Sequence, residues 1–253
     1  MKPFKSILNH WSYLADFVVI VAGIFVALSL DAWWQDKQDR KLEKHYLEQL
    51  YVDFQETDKT LTEYANTTKN RFEKIIYLIN AIHDGSEFSH DTIPYILFEG
   101  LSSLPFAIQD GTFRSLIHSG HIALIQNDSI RTQLASYQGR IDVDIQKLQS
   151  DYIFLKSIQL DSFFINEISA SNSFPNELKA GFGVTSNNRF PVDYTALIND
   201  RRFESLIANL GSSKLDEIGF YSRIINHTKV ILHLLEAELG IEPTVEAGSD
   251  ATG

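Results

Sequence analysis

The sequence predicts an all-α protein in which one N-terminal transmembrane helix continues into a long amphipathic helix and packs with a helical-hairpin domain. Residues 17–28 are twelve consecutive apolar or glycine positions, and apolar residues recur every seven positions farther along the chain. Alternation typical of strands is brief, at "HIALI" and "FGVTS". The predicted parts are a short N-terminal tail (1–12), the transmembrane helix (13–34), a juxtamembrane helix (35–84), a helical domain (85–240) and a disordered acidic tail (241–253).

Composition bounds the size of the core and the kind of partner. The chain has 253 residues, of which 44% are hydrophobic, and this suffices for one sizeable core or two small ones. Its 33 acidic and 22 basic residues give a net charge of -11, which argues against nucleic acid as a partner because phosphate binding draws on clustered Lys and Arg. Zero cysteines exclude disulfides, thiolate nucleophiles and the commonest zinc frameworks.

The apolar run has the length and the ends of a membrane span. With its flanking residues it reaches roughly 20 positions, about what ~30 Å of hydrocarbon needs at ~1.5 Å per residue. Aromatic side chains stand at both ends, as they do where a helix crosses the two membrane interfaces. These predicted membrane-interface residues are Trp11, Tyr13, Trp33 and Trp34. Small side chains that would permit close packing with a partner helix are Val18, Val21, Ala22, Gly23 and Ala27.

Two other interpretations of the run stay open. Lys2 and Lys5 form a basic region before it and residues 27–29 offer a small-x-small cleavage site, as in a cleaved export signal. The run could also be a helix buried in a globular core. We favour an anchor because the run is long for a signal, its aromatic ends are paired, and a helical pattern continues straight past them.

The juxtamembrane helix carries an apolar seam. Its positions recur every seven residues at Leu47, Phe54, Leu61, Thr68, Ile75 and Ile82, with Leu50, Tyr64, Phe72, Leu78 and Ile79 at the alternate steps of three and four. No proline interrupts residues 13–84, so span and seam are predicted to form one rod on the order of 100 Å long. Thr57, Thr68 and Arg71 interrupt the heptad, which favours a helix packed on its own domain over a self-associating coiled coil.

Two short helices are predicted after the rod. The first runs from about Pro94 to Ser103, with the proline in its first turn. The second is predicted to be capped by Thr112 and to end at Gly120, after which "HIALI" forms a bridge to the next helix.

Two longer helices complete the predicted domain. Asn127 begins the first, which keeps one apolar face to about residue 168, and residues 171–193 are predicted to be loop. The last helix is predicted to begin near Asp200, to break at Gly211, and to restart and end at Gly240.

One short internal repeat is present. "FRSLI" at residues 113–117 is answered by "FESLI" at 203–207, and each is followed by a glycine and then by a long helix. One interpretation is a domain of two hairpins, each made of a short helix, a turn and a long helix. A chance match is the alternative.

Two stretches of the chain resemble an uncharacterised family of bacterial single-span membrane proteins. In that family a short tail and a Trp-ended span run into a charged helix with a "YL..L..D" pattern, matched here by Tyr46, Leu47, Leu50 and Asp53. A later "SG.l.li.n..lr..l..Y" pattern is matched by Ser119, Gly120, Ile122, Leu124, Ile125, Asn127, Ile130, Arg131, Leu134 and Tyr137. The resemblance covers roughly residues 12–140. It implies an anchored, all-helical domain and brings no activity that can be carried over.

The common catalytic signatures are not in the sequence. It has no G-x-S-x-G, no phosphate-binding G-x-x-x-x-G-K-[ST] and no H-E-x-x-H, so we expect no catalytic residue and no cofactor. The one candidate metal site pairs His118 with His121, near Asp110 and Asp128. Gly120 breaks the helix between the two histidines, and surface or capping roles are the alternative.

Two functions from different classes fit these observations. The first is a membrane-anchored interaction or scaffold protein whose partners are the lipid bilayer and either its own copies or another protein. The alternative is an anchored ligand- or metal-binding sensor or enzyme with a site near Arg114, His118 and His121. We expect a single-pass protein of the bacterial inner (plasma) membrane. Basic residues stand on both sides of the run, Lys2 and Lys5 before it and Lys37, Arg40, Lys41 and Lys44 after it, so they leave either orientation open. We favour the large domain on the outer side because a short basic tail before an apolar run is how signal anchors begin.

Overall fold

The computed structural model describes residues 5–85, 92–102, 108–154, 180–181 and 192–242, except for the side chains of 5–15, 101, 151, 152 and 154. Within these ranges every regular element is helical, which confirms the predicted all-α class. The helices are α1 (Lys5–Asp84), α2 (Thr92–Leu101), α3 (Gly111–Ser119), a 3₁₀ turn (His121–Leu124), α4 (Asp128–Phe154), α5 (Tyr194–Ile198) and α6 (Arg201–Leu239).

Helix α1 is one continuous element of 80 residues. At the α-helical rise it is about 120 Å long, which is several times the width of a small domain. The apolar run and the amphipathic helix therefore form the single rod that the absence of proline predicts. Residues 5–12, at the predicted tail, are helical as well.

The apolar seam of α1 packs against its own domain. Leu47, Leu50, Leu61, Ile75 and Leu78 are at most 3% exposed, and α6 is the helix with which α1 shares most of its contacts. The seam is thus occupied by the same chain, as the heptad interruptions indicate. Burial of each such leucine or isoleucine stabilises the fold by roughly 1.5–3 kcal/mol relative to an exposed side chain.

Helix α6 lies along α1 in the opposite direction. At its C-terminal end Glu236 accepts a hydrogen bond from the Tyr51 hydroxyl at 3.3 Å, and near its start Glu204 lies 3.4 Å from the His83 ring. These two contacts are 32 residues apart on each helix, since 83 minus 51 equals 236 minus 204. The two helices therefore keep one register along the whole domain.

The interior is divided into two apolar cores along this helix pair. The near core, on the side of the apolar run, joins α1, α3, α4 and the second half of α6 around Leu50, Leu116, Leu134, Ile231 and Leu235. The far core joins α1, α2, α5 and the first half of α6 around Ile75, Leu97, Leu197, Phe203 and Leu210.

The predicted break at Gly211 is wrong. Helix α6 runs through Gly211 without interruption. The glycine marks a close approach of α6 to α1 instead of a helix end: a Cβ at this position would lie 3.3 Å from the Cγ2 of Ile75. "FESLI" consequently lies inside α6, and the two-hairpin interpretation of the repeat fails for its second half. Gly120, by contrast, has φ 74° and ends α3 as predicted.

Two helix starts differ in how they are capped. Asn127 caps α4 as predicted, because its Oδ1 accepts from the backbone N–H of Ser129 at 3.0 Å and of Ile130 at 3.2 Å. The predicted cap at Thr112 is wrong: α3 begins at Gly111, so Thr112 lies in its first turn and its own N–H needs an acceptor.

Several sequence predictions fall outside the described residues. These are the end of the first short helix near Ser103, the continuation of α4 beyond Phe154, most of the loop 171–193 with "FGVTS", and the tail from residue 243 onward. Residues 180–181, inside the predicted loop, are described and are helical.

Candidate functional site

The apolar segment, residues 17–30 of α1, is covered by no other described part of the chain. Its side chains are exposed, up to 70% for Val19 and 72% for Phe25, and none of the most apolar 18-residue window, of mean hydropathy 2.1, is buried. A helix of a globular core would be buried, so that interpretation of the run is wrong. By length and composition α1, with this segment and the residues that flank it, is able to cross a membrane.

Aromatic and basic side chains mark the end of the apolar segment. Trp33 and Trp34 are both exposed, and Lys37 places its Nζ 5.3 Å from the centre of the Trp33 ring. A cation over an indole ring and a paired tryptophan belt suit the boundary between an apolar medium and water. The side chains of Trp11 and Tyr13, at the opposite end, lie outside the described residues.

The domain begins close to this boundary. Glu43, about 13 Å along the helix from Trp34 at the α-helical rise, is the first buried side chain after the apolar segment. Its Oε1 accepts the backbone N–H of Gln126 at 2.6 Å. That carboxylate satisfies a backbone donor in the turn before α4, which is a reason for a buried acid at this position.

The connector, residues 108–127, is hydrogen-bonded to one strip of α1. Beyond the Glu43 contact, the Tyr46 hydroxyl lies 2.7 Å from Nδ1 of His121, and Asp53 accepts the N–H of Thr112 at 3.0 Å. Thr57 donates its hydroxyl hydrogen to the carbonyl of Gln109 at 3.2 Å. The four α1 residues follow one another at steps of three, seven and four, and therefore share one face of the helix.

The two stretches that carry the family resemblance are packed against each other by these contacts. Tyr46 and Asp53 hold the connector, while Leu47 and Leu50 are buried beneath it in the near core. On the other side Gly120 supplies the left-handed turn, and Ile130, Leu134 and Tyr137 are buried. The matched positions thus have structural roles in one contact region.

The predicted His118, His121 and Arg114 cluster is divided. Arg114 forms a 2.5 Å ion pair with Asp110 on the surface of α3, and His118 is exposed one turn later on the same helix. His121 lies beyond the left-handed Gly120 and binds Tyr46 of α1 instead. Among the residues that the structure describes, no three His, Asp or Glu side chains are grouped as metal ligands.

A buried polar layer, made by Arg71, Lys214, Glu217 and the carbonyl of Ser102, separates the two cores. Lys214 donates to Glu217 at 2.8 Å and to the Ser102 carbonyl at 2.9 Å, and Arg71 donates to the same carbonyl at 3.2 Å. Lys214 is 3% and Glu217 8% exposed. Lys214 and Arg71 therefore balance the partial negative charge at the C-terminal end of α2 and the carboxylate of Glu217.

Tyr221 completes the polar layer on the near-core side. Its hydroxyl donates to Glu217 at 3.0 Å, and burial together with the Glu217 charge raises the pKa of Tyr221 well above its usual range. The phenol is therefore a neutral hydrogen-bond donor at physiological pH. The sequence does contain a signal for this layer, because Lys214, Glu217 and Tyr221 lie on the apolar face of α6 at helical spacing.

No protein-family model, curated protein sequence or solved structure matches this chain.

Proposed function

We propose that this chain is a helical interaction or scaffold protein anchored in the bacterial inner membrane by its apolar segment, with the helical domain on the outer side. The single observation that carries the proposal is the continuity of α1. One helix leaves the apolar segment uncovered and, from Glu43 onward, packs one face against the rest of its own domain. An anchor joined to a domain without a linker holds that domain at a fixed height and angle.

The apolar segment also supports association with a second helix in the bilayer. A Cβ added at Gly23 would meet nothing within 4 Å, so the backbone is open to close approach. Ala22 and Ala27 flank it with small side chains. In lipid, helices associate where small residues let their backbones come together, since burial of apolar surface gives no advantage there.

We therefore propose a protein partner for the apolar segment, either a second copy or a different chain.

Cysteine scanning tests the interaction directly, because the natural chain has no cysteine. Single cysteines are placed in turn at positions 18–27 and oxidised in membranes. Self-association predicts disulfide-linked dimers that peak every three to four positions, on one helix face. A scan without any dimer, or with equal dimer at every position, contradicts self-association through this helix. Lys59→Cys, exposed on the domain, is the control outside the segment.

The same cysteine tests the orientation. A domain on the outer side predicts that Lys59→Cys in intact spheroplasts reacts with a membrane-impermeant maleimide. Labelling only after lysis would place the domain on the cytoplasmic side.

A further inference from the structure

A cleft of about 210 Å³ lies between α4 and α6, on the surface of the near core. Its apolar wall is formed by Ile141 and Ile224 with the ring of Tyr137. Sites for drug-sized ligands usually hold about 300–1,000 Å³. The cleft therefore suits a smaller molecule, of the size of inorganic phosphate or a short organic acid.

The polar lining of the cleft is basic, in a chain whose net charge is -11. Arg140 comes from α4 and Arg223 from α6, and the one carboxylate among the lining residues is Asp144. Arg223 is 57% exposed and lies 3.5 Å from Asp144. A well-made charged pair of this kind is about 2.7–2.9 Å long, so this contact leaves donors of Arg223 available.

Arg140 lacks a counter-ion in the part of the chain that the structure describes. Its side chain is exposed, and no ion pair or hydrogen bond joins it to another described residue. A guanidinium presents five N–H donors in a planar fork that matches carboxylate and phosphate oxygens. The lining of the cleft therefore holds two guanidinium groups, from α4 and α6, against one carboxylate.

His227 forms the polar end of the same cleft. His227 is 9% exposed, and its ring packs edge-to-face against Tyr137 with centroids 5.4 Å apart. Its Nε2 lies at hydrogen-bonding distance, 2.9 Å, from the Oε1 of Gln133. Burial and the nearby Arg140 charge lower the pKa of His227. The imidazole is therefore neutral near pH 7, and the positive charge of the cleft comes from the two arginines.

We propose that this cleft binds a small oxyanion, a carboxylate or phosphate group of a soluble molecule, between Arg140 and Arg223. The headgroups of the bilayer that holds the anchor are too far away. Phe54, whose ring is 5.1 Å from that of Tyr137, lies 20 residues beyond Trp34, or about 30 Å along α1. Binding does not depend on where the chain is anchored, so its test is independent of the proposed function.

The test uses the full chain in nanodiscs of zwitterionic lipid, which supply no excess anionic headgroup. Inorganic phosphate and acetate are titrated separately by calorimetry at constant ionic strength. We expect saturable binding of at least one anion, weakened roughly tenfold by either Arg140→Gln or Arg223→Gln, because each removes a charge-assisted contact. Arg201→Gln, an exposed arginine at the start of α6 outside the cleft, is the matched control and keeps the wild-type affinity.

Asp144→Asn supplies an outcome that misfolding cannot produce. Removing this carboxylate frees Arg223 and removes a repulsive charge, so anion affinity increases at least severalfold. The proposal is overturned if neither anion binds saturably to the wild-type chain, or if Arg201→Gln weakens binding as much as the two cleft variants do. Unchanged or weaker binding by Asp144→Asn also overturns it.

Discussion

The carboxylate of Asp53 accepts the backbone N–H of Thr112 at 3.0 Å, so a side chain of α1 caps the first turn of α3. Asp110, at the N-cap position of α3, makes no capping hydrogen bond with its own side chain. The residue that caps α3 therefore lies 59 positions before Thr112 in the chain. Formation of α3 is therefore coupled to its docking on α1.

The first prediction concerns this cap between helices. Asp53→Ala leaves the Thr112 N–H without its acceptor and is expected to lower the free energy of unfolding by about 1 kcal/mol. Asp53→Asn keeps a side-chain acceptor and is expected to lose less. Denaturant unfolding in detergent measures both, with the exposed Glu56→Ala as control. Equal losses for Asp53→Ala and Glu56→Ala would show that the cap adds nothing.

The second prediction concerns the polar layer. Lys214→Met leaves Glu217 charged and buried with Tyr221 as its remaining hydrogen-bond donor, and we expect a loss of about 3–5 kcal/mol. The double variant Lys214→Met, Glu217→Leu removes both charges and is expected to be more stable than the single variant. A double-mutant cycle from denaturant unfolding measures the coupling.

A surface pair provides the control for that cycle. Lys44 and Glu48 lie 3.8 Å apart, and their side chains are 70% and 52% exposed. Lys44→Ala is expected to cost less than about 1 kcal/mol, because water screens exposed pairs. Additive losses at Lys214 and Glu217, without coupling, would contradict the buried-pair account.

The third prediction separates two helical glycines. Gly139 is exposed inside α4, and a Cβ there would meet nothing within 4 Å. Gly139→Ala is therefore expected to raise the free energy of unfolding by about 1 kcal/mol, because alanine has the higher helix propensity. Gly211→Ala is expected to gain less or to destabilise, because its Cβ would lie 3.3 Å from Ile75. Thermal unfolding midpoints compare the two variants, and a larger gain at Gly211 would contradict the close-approach assignment.

The fourth prediction concerns pH. Since burial and Arg140 lower the pKa of His227 below its ordinary value of 6.5, the unfolded chain takes up this proton first as the pH falls. Stability is therefore lost as the pH decreases from about 6.5 towards the folded-state pKa.

His227→Gln removes that titration and serves as the reference. Wild type is expected to lose stability relative to His227→Gln between about pH 8 and pH 5, with a smaller relative loss in Arg140→Gln. Stability is measured by denaturant unfolding at each pH. A stability difference that stays constant, or shifts in favour of wild type on acidification, would show that His227 does not favour its neutral form in the fold.

The features that the sequence predicts correctly are local or periodic. An apolar run, a seven-residue period and the cap at Asn127 each involve neighbours along one helix, so pattern alone identifies them. The left-handed glycine at 120 follows from the same kind of short-range rule.

The features that the sequence does not predict depend on distant partners. Asp53, Thr57 and Glu43 bind backbone groups 52 to 83 residues away, and no local pattern indicates which groups these are. Gly211 has the same residue type as a helix-ending glycine and differs only in what packs against it. His121 similarly has the spacing of a metal ligand relative to His118, but its nearest polar partner, Tyr46, is 75 positions away.

The measurement that tests the central claim most directly is alkaline extraction of membranes followed by N-terminal sequencing of the protein in each fraction. If the apolar segment lies in the bilayer as an anchor, the protein stays in the membrane pellet. Its first sequenced residue then lies before Phe17, so the segment is still part of the chain. A mature chain released into the supernatant and beginning near Leu30 would contradict the account, because the segment would then be a removed export signal.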